Sequence, residues 1–156
     1  MFPNKILLAT DGSDDAKLAS STAADLARDT GSELHVVHVG HIPTILYEYP
    51  EAIVLDPDLQ SGMEEDVEEA TKTKLEEQAQ KIREAGGQIA GVHPRLGDPD
   101  AEIVGLAGRL GAGLIVIGSR GLGPLRRALM GSVSDSVVRH AHCPVMVVRH
   151  IEERAT

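Results

Sequence analysis

Aromatic residues are almost missing from this chain of 156 residues, which has no tryptophan, two tyrosines and one phenylalanine. Its 42% hydrophobic composition must therefore supply a core of valine, isoleucine, leucine and alanine, which suits helices packed closely on a parallel sheet. The single cysteine, Cys143, allows no disulfide within the chain and fits a reducing compartment. We expect one domain over residues 1–156, since this length is enough to bury a real core.

Positive charge is also scarce, because 15 lysines and arginines stand against 24 acidic residues, a formal net charge of −9. This balance disfavours general binding to nucleic acid or to an anionic membrane. Long apolar runs and a signal-peptide pattern are both missing, so we expect a cytoplasmic protein. Any anion site must then be built locally, from backbone N–H groups, a few arginines and a divalent cation.

Short apolar runs alternate with helical patterns along the chain. The patterns predict strands at 5–10, 33–39, 88–96, 114–117 and 145–148, and helices at 14–30, 63–85, 98–110 and 133–140. This alternation predicts an α/β fold with an open, Rossmann-like, five-stranded parallel sheet and helices on both faces. Residues 40–62 are the least regular segment and are predicted to be a loop, either lid-like or an ordered excursion without a role.

The most informative stretch is the glycine loop, which we define as residues 118–132, between the fourth predicted strand and the last helix. Gly118, Gly121 and the pair Gly131–Ser132 have the spacing G-x2-G-x9-G-S. Backbone N–H groups at a helix start lack intrahelical partners, and glycines let an anion approach them, so this arrangement is typical of phosphate binding. Ser132 is expected to cap the last helix and to offer its hydroxyl to a phosphate oxygen. A structural turn that needs glycine is the alternative.

Two better-known phosphate motifs are excluded. The glycine loop has no G-x4-G-K-[S/T], so it is not a Walker A loop. It is also not a dinucleotide fingerprint, because Arg126 stands where the third glycine belongs and the loop follows the fourth strand instead of the first.

The spacing resembles the ATP-binding signature of the universal stress protein family. The flanking runs 114–121 and 138–148 and the opening run 6–13 resemble the same family, in the same order along the chain. The resemblance is least clear over about 41–63. It implies an ATP-binding regulatory or protective module of the stress response. It also implies a strand order of 3-2-1-4-5, with a crevice outside the carboxyl ends of strands 1 and 4.

The resemblance further implies a set of nucleotide-binding residues. Asp11 would lie beside the nucleotide and help to hold Mg²⁺ or the adenosine; a turn or N-cap role is the alternative. Val39 matches the adenine-wall position, with an ordinary core position as the alternative. Arg120 matches a nucleotide-contacting position, whereas Arg126 and Arg127 are equally compatible with phosphate contact and with the surface. We expect ATP, together with Mg²⁺, to be bound by Thr10, Asp11, Val39, Ile117, Gly118, Arg120, Gly121, Gly131, Ser132 and Val133.

The sequence contains no recognisable pattern for catalysis or for a metal held by the protein alone. There is no G-x-S-x-G elbow and no visible base for a serine or cysteine nucleophile. His35 and His38 would face opposite sides of a strand, and neither C-x2-C nor H-E-x2-H occurs. We expect no enzyme, with very slow ATP hydrolysis at most. The alternatives are a nucleotide-dependent ligase or phosphohydrolase on the same fold, and a protein-interaction member of the family that binds no nucleotide.

The last predicted strand, Val145–Val148, is apolar at consecutive positions, so both of its faces are expected to be buried. In the implied order it is an edge strand, and an exposed apolar edge invites pairing with another chain. The resemblance implies a homodimer in which two such strands meet antiparallel around a two-fold axis. An edge covered by the chain's own termini is the alternative.

Overall fold

The computed structural model of the chain describes residues 4–42, 48, 51, 56–119 and 130–150. The strands are β1 (Lys5–Ala9), β2 (Glu33–Gly40), β3 (Gly91–Leu96), β4 (Leu114–Gly118) and β5 (Val145–Val148). The helices that alternate with them are α1 (Asp14–Thr30), α2 (Pro57–Glu84), α3 (Pro99–Leu110) and α4 (Ser132–His140). Within these described stretches, no helix is both long and apolar enough to cross a membrane.

The five strands form one parallel sheet in the order β3-β2-β1-β4-β5. This confirms the predicted fold class and strand order. Ala9, the last residue of β1, lies opposite Val37 on one side and Ile117 on the other. The carboxyl ends of β1 and β4 are therefore adjacent, at the point where the strand order reverses.

The sheet separates two apolar clusters, which explains why so few aromatic residues suffice. On one face, α1 contributes Ala19 and Ala23 and α2 contributes Leu75, packed on residues of the central strands. On the other face, Leu106 of α3 and Val137 of α4 pack on a second set of strand residues. Small alanines bring α1 close to the sheet, so branched aliphatic side chains fill the remaining space.

Two predicted boundaries were wrong by more than one residue. Helix α2 begins at Pro57 instead of Met63, so the end of the segment predicted as a loop is helical. The cause is a local signal, because the side chain of Asp56 caps this helix by accepting from the N–H of Asp58 at 3.1 Å, with proline in the first turn. Strand β3 begins at Gly91 instead of residue 88, since the chain uses residues 85–90 to reverse direction after α2.

The expectation that both faces of β5 are buried was also wrong for the single chain. Val145 and Val147 pack partly against the cluster under α3 and α4, and Val148 packs against the cluster under α1. Met146 remains 37% exposed. The reason is the position of β5 at the edge of the sheet, where it pairs with β4 on one side only.

Candidate functional site

The candidate site lies where β1 and β4 end side by side. Thr10 follows β1 directly and is buried, and its N–H donates to the carbonyl of Val37 at 3.0 Å. Ile117, in the register next to Ala9, is also buried, and Gly118 ends β4. The structure thus brings together two predicted groups of residues that are far apart in sequence, as expected for the switch point of an open parallel sheet.

The turn between β1 and α1 is built by short polar side chains. The Asp11 carboxylate accepts from the N–H of Ser13 at 2.9 Å, which closes a turn. The Ser13 hydroxyl oxygen accepts from the N–H of Ala16 at 3.3 Å and caps α1. The N-cap alternative for Asp11 was therefore wrong, because Ser13 fills that position, whereas the turn alternative is confirmed.

Asp11 also borders an open acidic groove of about 590 Å³ between the β1–α1 turn and α2. Its charged lining comprises Asp11, Asp66, Glu69, Lys74 and Glu77. Within the described residues, no cluster of three or more histidine, cysteine or acidic side chains could hold a metal ion. This negatively charged lining would repel a free phosphate at Asp11.

Position 118 requires glycine for a packing reason that does not involve a ligand. A Cβ atom built on it would lie 2.9 Å from the carbonyl carbon of Asp15 and 3.0 Å from the nitrogen of Ala16. The first turn of α1 therefore crosses directly over the end of β4, and only glycine permits this approach. Gly118 is a strand residue without a positive φ, so the turn alternative was wrong at this position, and the requirement for glycine comes from close packing instead.

The two ends of the glycine loop meet at Ser119, which is fully buried. Its carbonyl accepts from the N–H of Gly131 and, at 2.7 Å, from the hydroxyl of Ser134. Residues 120–129, which include the predicted Arg120 and Gly121, lie outside the described residues, as do Arg126 and Arg127.

Ser132 does not cap the last helix, so that expectation was wrong. Gly131 holds the N-cap position without a side-chain cap bond, and Ser132 is the first helical residue, with an exposed side chain. A residue inside the first turn has helical backbone angles and cannot act as the cap. The first N–H groups of α4 nevertheless lack intrahelical partners, which leaves an anion-binding end.

Three of the predicted residues belong to one apolar cluster on the α3 and α4 face. Ile117 is buried within it, and Val39 and Val133 are partly buried against it. A partly exposed Val39 at the end of β2 is compatible with both earlier alternatives, an adenine wall and an ordinary core position.

Sequence reasoning missed the carboxylate of Asp15, which is only 6% exposed. It accepts from the Ser119 hydroxyl at 2.6 Å and from the N–H of His150 at 3.1 Å. One signal was available, because Asp15, Ala19 and Ala23 recur every four residues and share the buried face of α1.

Sequence reasoning also missed the hydrogen-bond partners of the histidines on β2. His38 donates from Nδ1 to the carbonyl of Thr10 at 2.8 Å, and burial lowers its pKa, with Lys74 adding to the effect. His35 and His93 lie 3.0 Å apart between Nδ1 and Nε2. Burial and then the neighbouring His35 lower the pKa of His93. Nothing in a local pattern reveals this pair, which joins two strands.

A third polar group joins α4 to the first turn of α3. The Ser136 hydroxyl on α4 donates to the carboxylate of Asp100, and His140 Nδ1 lies 3.2 Å from the same hydroxyl oxygen. The bond from Ser136, and then the neighbouring Asp98, lower the pKa of Asp100. The hydrogen bond to Asp100 raises the pKa of Asp98. The order differs from a catalytic triad, because the serine donates directly to the carboxylate.

Comparison with known sequences gives one family. A sequence model described as the Universal stress protein family matches residues 3–149. The universal stress protein YxiE of Bacillus subtilis is 35% identical over 147 residues, covering 94% of this chain and 99% of the relative. A universal stress protein of Thermus aquaticus is 39% identical over 150 residues, covering 92% and 97%.

Comparison with solved structures agrees. Protein MJ0577, solved as a hypothetical protein for structure-based assignment of its biochemical function, has a TM-score of 0.77 at 25% identity, over 96% of this chain and 98% of that one. A universal stress protein of Archaeoglobus fulgidus, solved in complex with dAMP, has a TM-score of 0.64 at 28% identity, over 95% and 99%.

Proposed function

This chain belongs to the universal stress protein family, and from that premise we propose that it binds ATP with Mg²⁺ in the crevice between the ends of β1 and β4. In this proposal it is a nucleotide-dependent regulatory or protective module of the stress response, located in the cytoplasm. The single observation that carries the proposal is the junction of Ser119 with Gly131, which closes the glycine loop beside Thr10 and Asp11.

The position and the chemistry of this junction support a nucleotide. Loop ends at the switch point of an open α/β sheet, followed by a helix N-terminus, are a common place for phosphate. The complex of the Archaeoglobus fulgidus relative with dAMP supports an adenine nucleotide as the ligand class. The spacing G-x2-G-x9-G-S favours a triphosphate, because a longer phosphate chain can use more loop donors.

A magnesium ion fits the charges of the site. Net charge is −9 and the groove beside Asp11 is acidic, so a bare triphosphate would meet repulsion there. A carboxylate such as that of Asp11 would hold Mg²⁺, which would supply positive charge to neutralise the phosphates. The residues of the chain would orient the nucleotide, through loop N–H groups and the predicted Arg120.

We propose a binding module instead of an enzyme because, among the described residues, neither Ser136 nor Cys143 is activated as a nucleophile. The Ser136 hydroxyl donates its hydrogen bond to the Asp100 carboxylate, and His140 Nδ1, 3.2 Å from that hydroxyl oxygen, also lies 2.9 Å from the Ser136 carbonyl, to which it can donate. Burial raises the pKa of the Cys143 thiol, which disfavours the reactive thiolate. The competing proposal of a ligase or phosphohydrolase requires an acid/base pair that acts on the bound nucleotide.

This proposal predicts phosphate release far below typical turnover numbers of about 1–10³ s⁻¹. A coupled phosphate assay with saturating Mg-ATP measures it. A steady rate above about 1 s⁻¹, abolished by Gly131→Val but not by the control Gly108→Val, would establish an enzyme.

We also propose that the chain forms a homodimer through β5. This strand is the edge of the sheet, it carries four apolar residues, and Met146 is exposed in the single chain. Antiparallel pairing of two copies would satisfy the free edge of each and would cover Met146.

The decisive test of nucleotide binding has two parts. Mass spectrometry of the denatured, purified protein shows whether ATP is carried along, and calorimetry with Mg-ATP, Mg-ADP, AMP and dAMP ranks the ligands. We expect ATP to bind most tightly, because shorter phosphate chains leave loop donors unused. If dAMP binds as tightly as ATP, the site is an adenine-nucleotide site that does not read the triphosphate. If none of them gives heat, the proposal fails.

A variant pair makes this test specific. Gly131 has φ −73° and ψ 164°, which valine adopts readily. Gly131→Val therefore adds bulk beside the phosphates without backbone strain, and we expect it to abolish binding. The matched control is Gly108→Val on α3, where a Cβ atom meets nothing within 4 Å. Equal ATP affinity in the two variants would place the nucleotide elsewhere.

A further inference from the structure

Two consecutive aspartates begin α1, and the structure treats them differently. The side chain of Asp14 is 92% exposed and lies 3.8 Å from the Lys17 ammonium. Asp15 is 6% exposed and shares the buried face of α1 with Ala19 and Ala23. Ser13 already caps the helix and Asp14 already supplies negative charge to its first turn. Starting the helix therefore does not require a buried carboxylate at position 15.

Each oxygen of the Asp15 carboxylate holds a different part of the chain. Oδ2 accepts from the Ser119 hydroxyl at 2.6 Å, and Oδ1 accepts from the N–H of His150 at 3.1 Å. Hydrogen bonds to a carboxylate are stronger than neutral ones, and they offset the cost of burying the charge. Asp15 thus joins the start of α1 to residues just past the ends of β4 and β5.

Ser119 connects the Asp15 carboxylate to the returning end of the glycine loop. Its carbonyl accepts from the N–H of Gly131 and from the hydroxyl of Ser134, and its own N–H donates to the carbonyl of Val148 at 2.8 Å. Ser119, a single buried residue, therefore contacts Gly131 at the returning end of the loop, Val148 at the end of β5, and the side chain of Asp15. The bare Cα of Gly118 makes room for the backbone of Asp15 above it.

We propose that Asp15 is a positioning residue that makes the base of the glycine loop and the end of edge strand β5 a single mechanical unit; its effect on ligand affinity rests on the proposed ATP binding. A nucleotide that steadies the loop then also steadies His150. Because coupling free energies are reciprocal, whatever restrains the end of β5 strengthens nucleotide binding by the same factor.

The test is amide hydrogen exchange at single-residue resolution on the full chain, without and with Mg-ATP, in Asp15→Ala and in the matched control Asp14→Ala. Both variants remove one negative charge from the same helical turn, but only Asp15 touches the loop base. We expect Asp15→Ala to speed exchange at the N–H groups of Gly131 and His150 by about 10-fold or more without nucleotide. Asp14→Ala should change them by less than about 2-fold.

The measurements with Mg-ATP distinguish a positioning role of Asp15 from a role in fold stability alone. Mg-ATP should slow exchange at His150 in the wild type and in Asp14→Ala, and this response should vanish in Asp15→Ala. The affinity for ATP should fall by about 10-fold in Asp15→Ala. An equal response of His150 in all three proteins would overturn the inference, since a residue that only supports the fold would leave this coupling intact.

Failure of the proposed function gives a different result. A wild type that binds no nucleotide disproves ATP binding, yet the exchange rates without nucleotide still decide whether Asp15 holds both segments. If Asp15→Ala does not fold, Asp15→Asn and Ser119→Ala replace it. The asparagine keeps an acceptor for the His150 N–H, so His150 should stay protected. Ser119→Ala should speed exchange at Gly131 alone, and an unchanged Gly131 would contradict the inference.

Discussion

The two edges of the sheet differ in how well they are protected against pairing with another chain. Strand β3 carries His93, Pro94 and Arg95 in succession, and all of its residues are partly buried. Proline has no N–H for a sheet ladder and is confined to edge strands, so it blunts this edge. Strand β5 consists of Val145–Val148 and leaves Met146 exposed.

The two edges differ in how readily each could pair with a strand of another chain. A proline and a cation make β3 a poor template for another strand, whereas the apolar β5 has neither of these devices. The protected edge serves the stability of the single chain. The unprotected edge lies next to β4 and the glycine loop, which supports the proposal that a second copy meets the chain there.

The largest expected effect is on the β5 edge. Val147→Lys should convert the proposed dimer to a monomer, because an unpaired ammonium in an apolar seam costs about 3 kcal/mol, or roughly 100-fold in dissociation constant. Met146→Lys should act similarly with less effect on folding, since Met146 is exposed in the single chain. Light scattering across a dilution series measures the assembly.

The matched control for these variants is Val138→Lys, the same change at a side chain that is 45% exposed on α4. It should leave the dimer intact. A wild type that scatters as a monomer of 16.6 kDa at every concentration would rule out the dimer. A dimer that survives both edge variants would place the interface elsewhere.

The second-largest expected effect comes from nucleotide binding, which should protect residues beside β5 and leave β3 almost unchanged. Mg-ATP at about 100 times its Kd should stabilise the fold by roughly 2.7 kcal/mol, or about 5–10 °C in melting temperature. We expect slowed hydrogen exchange at Ser119 and Gly131, and little change along β3. Differential scanning fluorimetry and exchange measurements check this prediction. Protection concentrated on β3 would contradict the placement of the ligand.

The smallest expected effect concerns the β3 edge and pH. The folded-state pKa values of His93 and His38 are both lowered, so the unfolded chain binds more protons. Stability should therefore be fully present above the ordinary histidine pKa of about 6.5 and fall as the pH drops through the lowered values. His93→Gln should flatten the loss of melting temperature between about pH 7.5 and 5.5, by on the order of 1–2 °C.

The control for the pH series is His142→Gln, a change at an exposed residue outside the pair. It should follow the wild-type profile. Arg95 adds to the trend by disfavouring a charged imidazole on His93. A steeper profile in His93→Gln than in the wild type would contradict the assigned sign.

Much of the fold and part of the candidate site could be predicted from the sequence. Periodicity predicted the five strands and helices α1–α4, because the central strands are continuously apolar and α1 has alanines at helical spacing. The strand order that the family resemblance implies, together with the fold rule, placed Asp11 and Gly118 at one crevice. The start of α2 was missed because Asp56–Pro57, a usable cap signal, stands within an otherwise irregular segment.

Other features depend on contacts that no local pattern contains. Asp15 and Ser119 are 104 residues apart, and His35 and His93 are 58 apart. Which of two neighbouring aspartates is buried follows from the face that α1 presents to β4, which becomes definite only once the sheet has formed. Ser13 and Ser132 look alike before their helices, yet only Ser13 caps, because backbone angles decide the role.

The bond between the Ser119 carbonyl and the Gly131 N–H has a consequence for the entropy of binding. Bringing together the ends of a flexible segment of roughly ten residues costs about 2 kcal/mol. Here the two ends already meet in the folded chain, so a ligand that binds between them does not have to close this ring. That saving corresponds to about 30-fold in affinity. In the proposed complex, a short glycine-rich segment would thus hold the nucleotide without a large enclosing domain.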